Sequence, residues 1–358
     1  MDYRKRQSLL NGELERRKVD AFLVTHLPNV RYLCGFTGSA GVLLAALRPV
    51  FFTDGRYAGQ AREQVKGARV VIAKGGTYTA AAAACQRLRM RRVAIEAEHL
   101  TVAQFRGLQR EMGKSVKLVP LSGVVEAQRM VKDAEEIELI RRAVEVSSNL
   151  FRPLLRALRP GVAETDAAAR LEFLARKSGA QGMSFETIIA SGSRSALPHG
   201  VASGAPLPSE GVVVLDYGIV LGGYCSDMTR TVHLGRAPAK AREVYAAVLE
   251  AQLAAISAVR PGVITGEVDW AARQSLRRTK LDRYFTHSTG HGVGLEIHEP
   301  PRLGAGSEAI LQPGMVVTIE PGVYLPGECG VRIEDMLLVT ETGYEVLTPV
   351  SKGLIELN

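Results

Sequence analysis

The chain has 358 residues, enough for two domains with sizeable cores. Lys and Arg outnumber Asp and Glu by 45 to 37, a net charge of +8, and no run of about 18 apolar residues occurs, which excludes a membrane-spanning helix. The four cysteines, Cys34, Cys85, Cys225 and Cys329, are far apart and form no Cys-x-x-Cys, which excludes a zinc ribbon or a disulfide scaffold and fits a reducing cytosol.

The start, Met1-Asp2-Tyr3-Arg4-Lys5-Arg6, leads into a polar helix over 3–18 rather than an apolar signal core, so a cytoplasmic location is expected. Strands are predicted at 21–24, 42–47, 50–53, 70–73, 93–95 and 116–119, with a short helix near 28–33 and helices around 57–66, 77–90 and 101–112. This alternation predicts an α/β N-terminal domain over 1–128. That half is basic: residues 1–130 hold 22 Lys and Arg against 10 Asp and Glu, and the remainder is net acidic. The densest cluster, Arg87-Leu88-Arg89-Met90-Arg91-Arg92, follows an Ala-rich helix, where cations suit a helix C-terminus. With no aromatic stacking platform beside it, no nucleic-acid partner is expected.

The second domain is expected over 129–358. Asp133-Ala134-Glu135-Glu136 reads as a capping box, opening a long amphipathic helix that Arg159-Pro160-Gly161 stops near 158. A helix over 164–178, strands near 185–190, 211–217 and 224–233, and helices near 238–258 and 266–279 follow. Arg260-Pro261-Gly262 repeats the Arg-Pro-Gly stop, which suggests an internal duplication. The class is α+β.

Five residues of this domain read as a cage for two metal ions: Asp216, Asp227, His291, Glu320 and Glu334. Asp216 closes the run Val212-Val213-Val214-Leu215, and Glu320 closes Met315-Val316-Val317-Thr318-Ile319. A carboxylate at the end of a buried strand is costly unless it is neutralised, and two divalent cations balance four such charges. Asp216 and Asp227 lie equidistant from a point between Leu221 and Gly222, and Glu320 and Glu334 from Gly327, so each pair is expected to face across a hairpin. Three of the seven histidines, His287, His291 and His298, fall within twelve residues among glycines that let backbone approach a ligand. His199, in Leu197-Pro198-His199-Gly200, is a further candidate in an exposed turn.

In these segments the chain resembles the pita-bread metallopeptidases, in particular the Xaa-Pro aminopeptidases and prolidases. The resemblance rests on Pro198-His199-Gly200, Asp216-Tyr217-Gly218, Ser226-Asp227-Met228-Thr229-Arg230-Thr231, Gly290-His291-Gly292-Val293-Gly294, Ile319-Glu320-Pro321-Gly322 and Arg332-Ile333-Glu334-Asp335. It covers essentially all of 130–358. The first half is similar to the creatinase-type N-terminal domain through Asn29-Val30-Arg31-Tyr32-Leu33, Gly35-Phe36-Thr37-Gly38-Ser39-Ala40-Gly41 and Thr53-Asp54-Gly55-Arg56-Tyr57.

The resemblance implies a creatinase-like α/β domain followed by a pita-bread catalytic domain. It implies that Asp216 binds one metal, that Asp227 and Glu334 bridge both, and that His291 and Glu320 complete the other shell. The carboxylate-rich set favours Mn²⁺ or Co²⁺, with Zn²⁺ as the further option. Glu320 would position water and move its proton, while His199 and His298 would hydrogen-bond the scissile carbonyl or oxyanion. Arg332 and Asp335 would orient carboxylates, and His287, Tyr324 and Arg332 would shape the substrate site. The expected activity is an Xaa-Pro aminopeptidase acting on proline-containing peptides, as a homodimer away from membranes. A prolidase restricted to Xaa-Pro dipeptides is the runner-up, and a non-catalytic peptide- or protein-binding member is a distant third. Methionine aminopeptidase lacks the extra N-terminal domain. Creatinase-type members lack the metal ligands retained here.

Overall fold

The structure is a computed structural model and describes residues 1–357. The chain divides into two compact units, Met1–Arg129 and a second from Met130 onward. The first holds a mixed six-stranded sheet. Its order is Arg69–Ile72, Val50–Thr53, Val42–Ala45, Ala21–Val24, Arg92–Glu96 and Lys117–Leu121. The strands Val42–Ala45, Val50–Thr53 and Ala21–Val24 are buried throughout, as their unbroken apolar runs require of strands covered on both faces. Helix Thr77–Arg87 packs closely because its inner face is Ala81, Ala82, Ala84 and Cys85. Helix Val102–Met112 starts at a Thr101–Gln104 capping box and ends at Gly113, φ +64°. The basic cluster here closes a loop: Asp20 Oδ2 accepts from the Arg91 and Arg92 amides at 2.6 and 2.8 Å.

The second unit opens with helix Ala134–Asn149, and both halves of the Asp133–Glu136 capping box form. The single long helix expected here is interrupted at Leu150 and resumes as Phe151–Ala157. Pro153 explains the break. It has no N–H for the Asn149 carbonyl, and its ring crowds that turn.

The duplication is visible in the backbone. After each Arg-Pro-Gly, the glycine takes φ +85° (Gly161) or +86° (Gly262) and donates to Leu207 or Leu311. The next helix then starts against a returning segment, with Glu164 N on Ala205 O and Thr265 N on Ala309 O. Helices Glu164–Lys177 and Thr265–Arg278 each follow this motif. The first half supplies the strands Met228–Leu234, Gly211–Tyr217 and Ile188–Ser191 of one sheet, whose edge beside Met228–Leu234 is the late strand Ile355–Leu357. The second supplies Glu299–Leu303, Gly290–Gly292, Val316–Ile319, Asp335–Val339, Tyr344–Val346.

Two register expectations meet different outcomes. The hairpin after Asp216 turns on Gly222 and Gly223, φ +56° and +84°, so its centre lies one residue later than expected. Asp216 therefore faces Thr229, not Asp227. The slip is two residues, so Asp227 stays on the same face of the sheet as Thr229. The other hairpin does centre on Gly327: Gly322 pairs with Arg332 and Ile319 with Asp335. Glu320 and Glu334 sit in the gap between those two ladders. Their amides instead bond Thr289 O and Thr229 O.

Candidate active site

A cleft of about 860 Å³ in the second unit is lined by Asp216, Asp227, His291, Glu320 and Glu334 together with His199, His287, His298 and Arg332. The strand ends and ladder gap described above are what bring the acids together. One oxygen or nitrogen from each of Asp227, His291 and Glu334 lies within 4.8 Å of the others. His291 Nε2 stands 3.3 Å from Glu320 Oε1 and 3.7 Å from Asp227 Oδ2. Its Nδ1 faces the Gly292 carbonyl at 3.0 Å. A carbonyl only accepts, so Nδ1 donates; when the ring is protonated Nε2 donates to the acids, and when it is neutral Nε2 is the nitrogen left with a lone pair for a cation.

Burial, followed by the charges of Glu334, Asp216 and Glu320, holds Asp227 well above the usual carboxylate range. Burial, followed by Glu320 and Asp216, does the same to Glu334. Asp216 is raised chiefly by burial, against the pull of Arg332. Glu320 goes the other way: burial pushes it up, but the hydrogen bond and charge of His291 outweigh this and bring it to about 2. Such opposed shifts are what four crowded carboxylates produce when one imidazole and one guanidinium pair directly with some of them and not with others.

Arg332 is buried, and its guanidinium links several parts of the site. It donates to Asp216 Oδ2 (2.6 Å), Tyr324 Oη (2.6 Å), the Pro198 carbonyl (3.0 Å) and Thr229 Oγ1 (3.2 Å). Thr229 in turn donates to Glu334 Oε2 at 2.8 Å. Tyr324 lies 2.8 Å from His287 Nε2, and His287 Nδ1 faces Ser288 O at 2.8 Å. Burial pushes Tyr324 up to about 12 and lowers His287, so the phenol keeps its proton and donates a hydrogen bond to Nε2 of a neutral ring. His287 and Tyr324 are thus occupied with one another and form a wall of the site. Neither His199 nor His298 makes a side-chain hydrogen bond among the described residues, and both are exposed in the cleft. Asp335 lies apart from the acids: it accepts from Arg230, Gln252 and Lys352, and Arg230 also donates to the Glu334 carbonyl.

Residues 138–341 match the family model of metallopeptidase family M24, and residues 6–131 match the creatinase/prolidase N-terminal domain. The chain belongs to metallopeptidase family M24. This M24 chain is 44% identical over 235 residues to an Xaa-Pro dipeptidase of Pyrococcus furiosus, spanning 66% of this chain and 68% of that one. Its fold superposes on an Xaa-Pro dipeptidase from Bacillus anthracis with a TM-score of 0.96, at 39% identity over 99% of this chain and 100% of the other. An X-Pro aminopeptidase from Thermotoga maritima gives 0.89, at 36% identity over 96% and 100%. The creatinase-type N-terminal domain and the pita-bread catalytic fold are thereby established.

The acids of this M24 site suit divalent cations. Asp216 Oδ1 and Asp227 Oδ1 are buried and have no hydrogen-bond partner among the described residues. An orphaned carboxylate oxygen is costly unless a cation takes it. Some residues of the site were not singled out in the sequence. The hydroxyl of Thr318 accepts from His291 N at 3.1 Å and donates to Glu320 Oε1 at 3.2 Å. Thr229 does similar work at Glu334. Phe185, Glu186, Ile297 and Arg302 also line the cleft. The one signal for Thr318 was a hydroxyl inside an otherwise apolar run.

Proposed function

We propose that this M24 peptidase is an Xaa-Pro dipeptidase that works with two divalent metal ions, Mn²⁺ before Co²⁺ or Zn²⁺. The observation that carries the reading is the buried cluster of four carboxylates and one imidazole, with orphaned oxygens, beside two unengaged histidines in one cleft. Asp216, Asp227, His291, Glu320 and Glu334 would hold the ions; an oxygen-rich donor set favours Mn²⁺. Bound there, divalent ions supply Lewis-acid polarisation of the carbonyl and acidify water.

The chain's own residues do the rest. Glu320, held by Thr318, accepts the proton of the attacking water and returns it to the departing proline nitrogen. That nitrogen carries no hydrogen in the Xaa-Pro bond and must gain one to leave. His199 and His298 donate to the carbonyl oxygen as it gains charge. Arg332 fixes Asp216 and the backbone at Pro198.

Restriction to dipeptides replaces the aminopeptidase reading first drawn from the sequence. Two observations support the change. The Pyrococcus and Bacillus relatives carry the dipeptidase name. The exposed Arg302 also places a cation on the cleft wall, where the proline's own carboxylate, two bonds beyond the scissile nitrogen, can pair with it. In a longer peptide that carboxylate is an amide.

Turnover of Ala-Pro against Ala-Pro-Ala is the test. The expected result is hydrolysis of the dipeptide alone, whereas comparable turnover of both restores the aminopeptidase. Arg302→Met should raise KM for Ala-Pro by about 10- to 100-fold, the worth of one charge-assisted hydrogen bond. Glu320→Gln should lower kcat by at least about 100-fold in a folded protein, and a milder loss would remove it as the proton carrier.

A further inference from the structure

We propose that Glu164, far along the chain from every candidate ligand, is a positioning residue that holds His199 in its working place. Glu164 is the first residue of helix Glu164–Lys177, and none of its surface is exposed. Its Oε1 accepts from Ser191 N and Oγ, both at 2.8 Å. Its Oε2 accepts from Arg194 Nε (3.0 Å), Ser203 N (3.1 Å) and Ser203 Oγ (2.8 Å). Ser191 ends the strand that leads into the Pro198-His199-Gly200 loop, and Ser203 lies at the loop's exit. One carboxylate thus pins both ends of the loop. Arg194 extends the clamp inward by donating to Val201 O at 2.8 Å, two residues from His199.

The duplicated half shows that this carboxylate is not needed by the backbone motif. Thr265 occupies the matching position, with the same amide bond to the returning segment. It too is fully buried, yet its hydroxyl has no hydrogen-bond partner among the described residues. The helix start and return therefore form without an acid. Five donors converge on Glu164, and they come from both flanks of the loop that carries His199. A buried carboxylate is stable only with its donors in place, so the loop cannot drift without exposing a bare charge to the core. His199 has no side-chain bond of its own among the described residues, and its position is set by the loop alone.

This inference rests on the dipeptidase reading, in which His199 touches the substrate carbonyl. The test is a double-mutant cycle in kcat/KM on Ala-Pro with Glu164→Gln, His199→Ala and the pair. If Glu164 acts through His199, Glu164→Gln lowers kcat by about 10- to 100-fold with a smaller change in KM. The double variant then falls no lower than His199→Ala alone. Losses that multiply would assign Glu164 to general stability and overturn the proposal. Should Glu164→Gln fail to fold, Ser203→Ala enters the same cycle. Absence of Ala-Pro turnover in the wild type would defeat the dipeptidase reading instead. In that event hydrogen exchange of the amides in 192–203 decides: faster exchange in the variant supports the clamp, and unchanged exchange overturns it.

Discussion

Thr318 shows how much of this site depends on residues that carry no charge. Its hydroxyl joins the backbone of His291 to the carboxylate of Glu320, so both candidate ligands are oriented by one buried side chain. Thr318→Val keeps the shape and removes the oxygen, leaving the His291 amide without that acceptor. We expect Mn²⁺ affinity by titration calorimetry to fall about 10- to 100-fold, and an unchanged affinity would remove Thr318 from the site. Asp216 and Glu320 were legible because charge at the end of an apolar strand is conspicuous, Asp227 and Glu334 by their spacing about the hairpin turns, and His291 by its place among glycines. Thr229 and Thr318 were not, because a threonine in a strand satisfies β propensity whether or not its hydroxyl has work to do. Arg302 and Glu186 were hidden for another reason: an exposed charge becomes part of a site only when folding places it on a cleft wall. The cysteines carry a residue-scale expectation too. Burial pushes Cys34 and Cys85 up to about 12 and raises Cys329 as well. Raised values leave the nucleophilic thiolate scarce at pH 8, and Cys329 alone is not fully buried. A thiol reagent on the native protein should modify Cys329 slowly and the other three only on unfolding. Rapid reaction of more than one thiol would contradict this.

Among the elements, the strand Gly290–Gly292 is the most constrained. A Cβ on Gly290 would lie 1.9 Å from the carbonyl oxygen of Thr318, so the strand can approach its neighbour only as glycine. Gly290→Ala should destabilise the catalytic unit by about 3 kcal/mol or more by denaturant unfolding. Gly107 is the contrast: within helix Val102–Met112, a Cβ there meets nothing within 4 Å. Gly107→Ala should add about 0.5–1 kcal/mol. Equal effects at the two sites would show that close approach is not what fixes Gly290. Local chemistry made the helix starts readable, since a capping box works at short range, and Asp133 and Glu136 behave as their spacing suggested. Hairpin register was harder. The Gly222-Gly223 pair takes two positive φ values, which suits a two-residue turn, and this moved the centre by one residue. Around Gly327 the glycine is the turn centre itself, and the expected register matches the ladder. Where two glycines compete for the tip, symmetry of spacing is a weaker guide than the turn type that the pair permits.

At the scale of the molecule, the catalytic unit buries acids that protons or cations can neutralise, so its stability should depend on pH and metal together. Without metal, Asp227 and Glu334 titrate well above the ordinary values of 3.8 and 4.5. Between their unfolded and folded values the native chain holds protons that the unfolded chain has released, so stability falls as pH rises through that window. His291 adds to the trend: burial lowers it, but Glu320 raises it further, and a raised histidine also loses its contribution as pH climbs. Glu320 opposes the trend only below its ordinary value of 4.5, because its folded value lies near 2. Above pH 5 the raised acids and His291 therefore act in the same direction, and the lowered His287 and His298 oppose them only up to their ordinary 6.5, so the fall should dominate toward pH 8. Chelated protein should melt about 5 °C or more lower at pH 8 than at pH 5. Saturating Mn²⁺ replaces the protons, so it should raise the pH 8 melting point most and flatten the profile. Parallel pH profiles with and without Mn²⁺ would mean that the acids are neutralised by something other than metal.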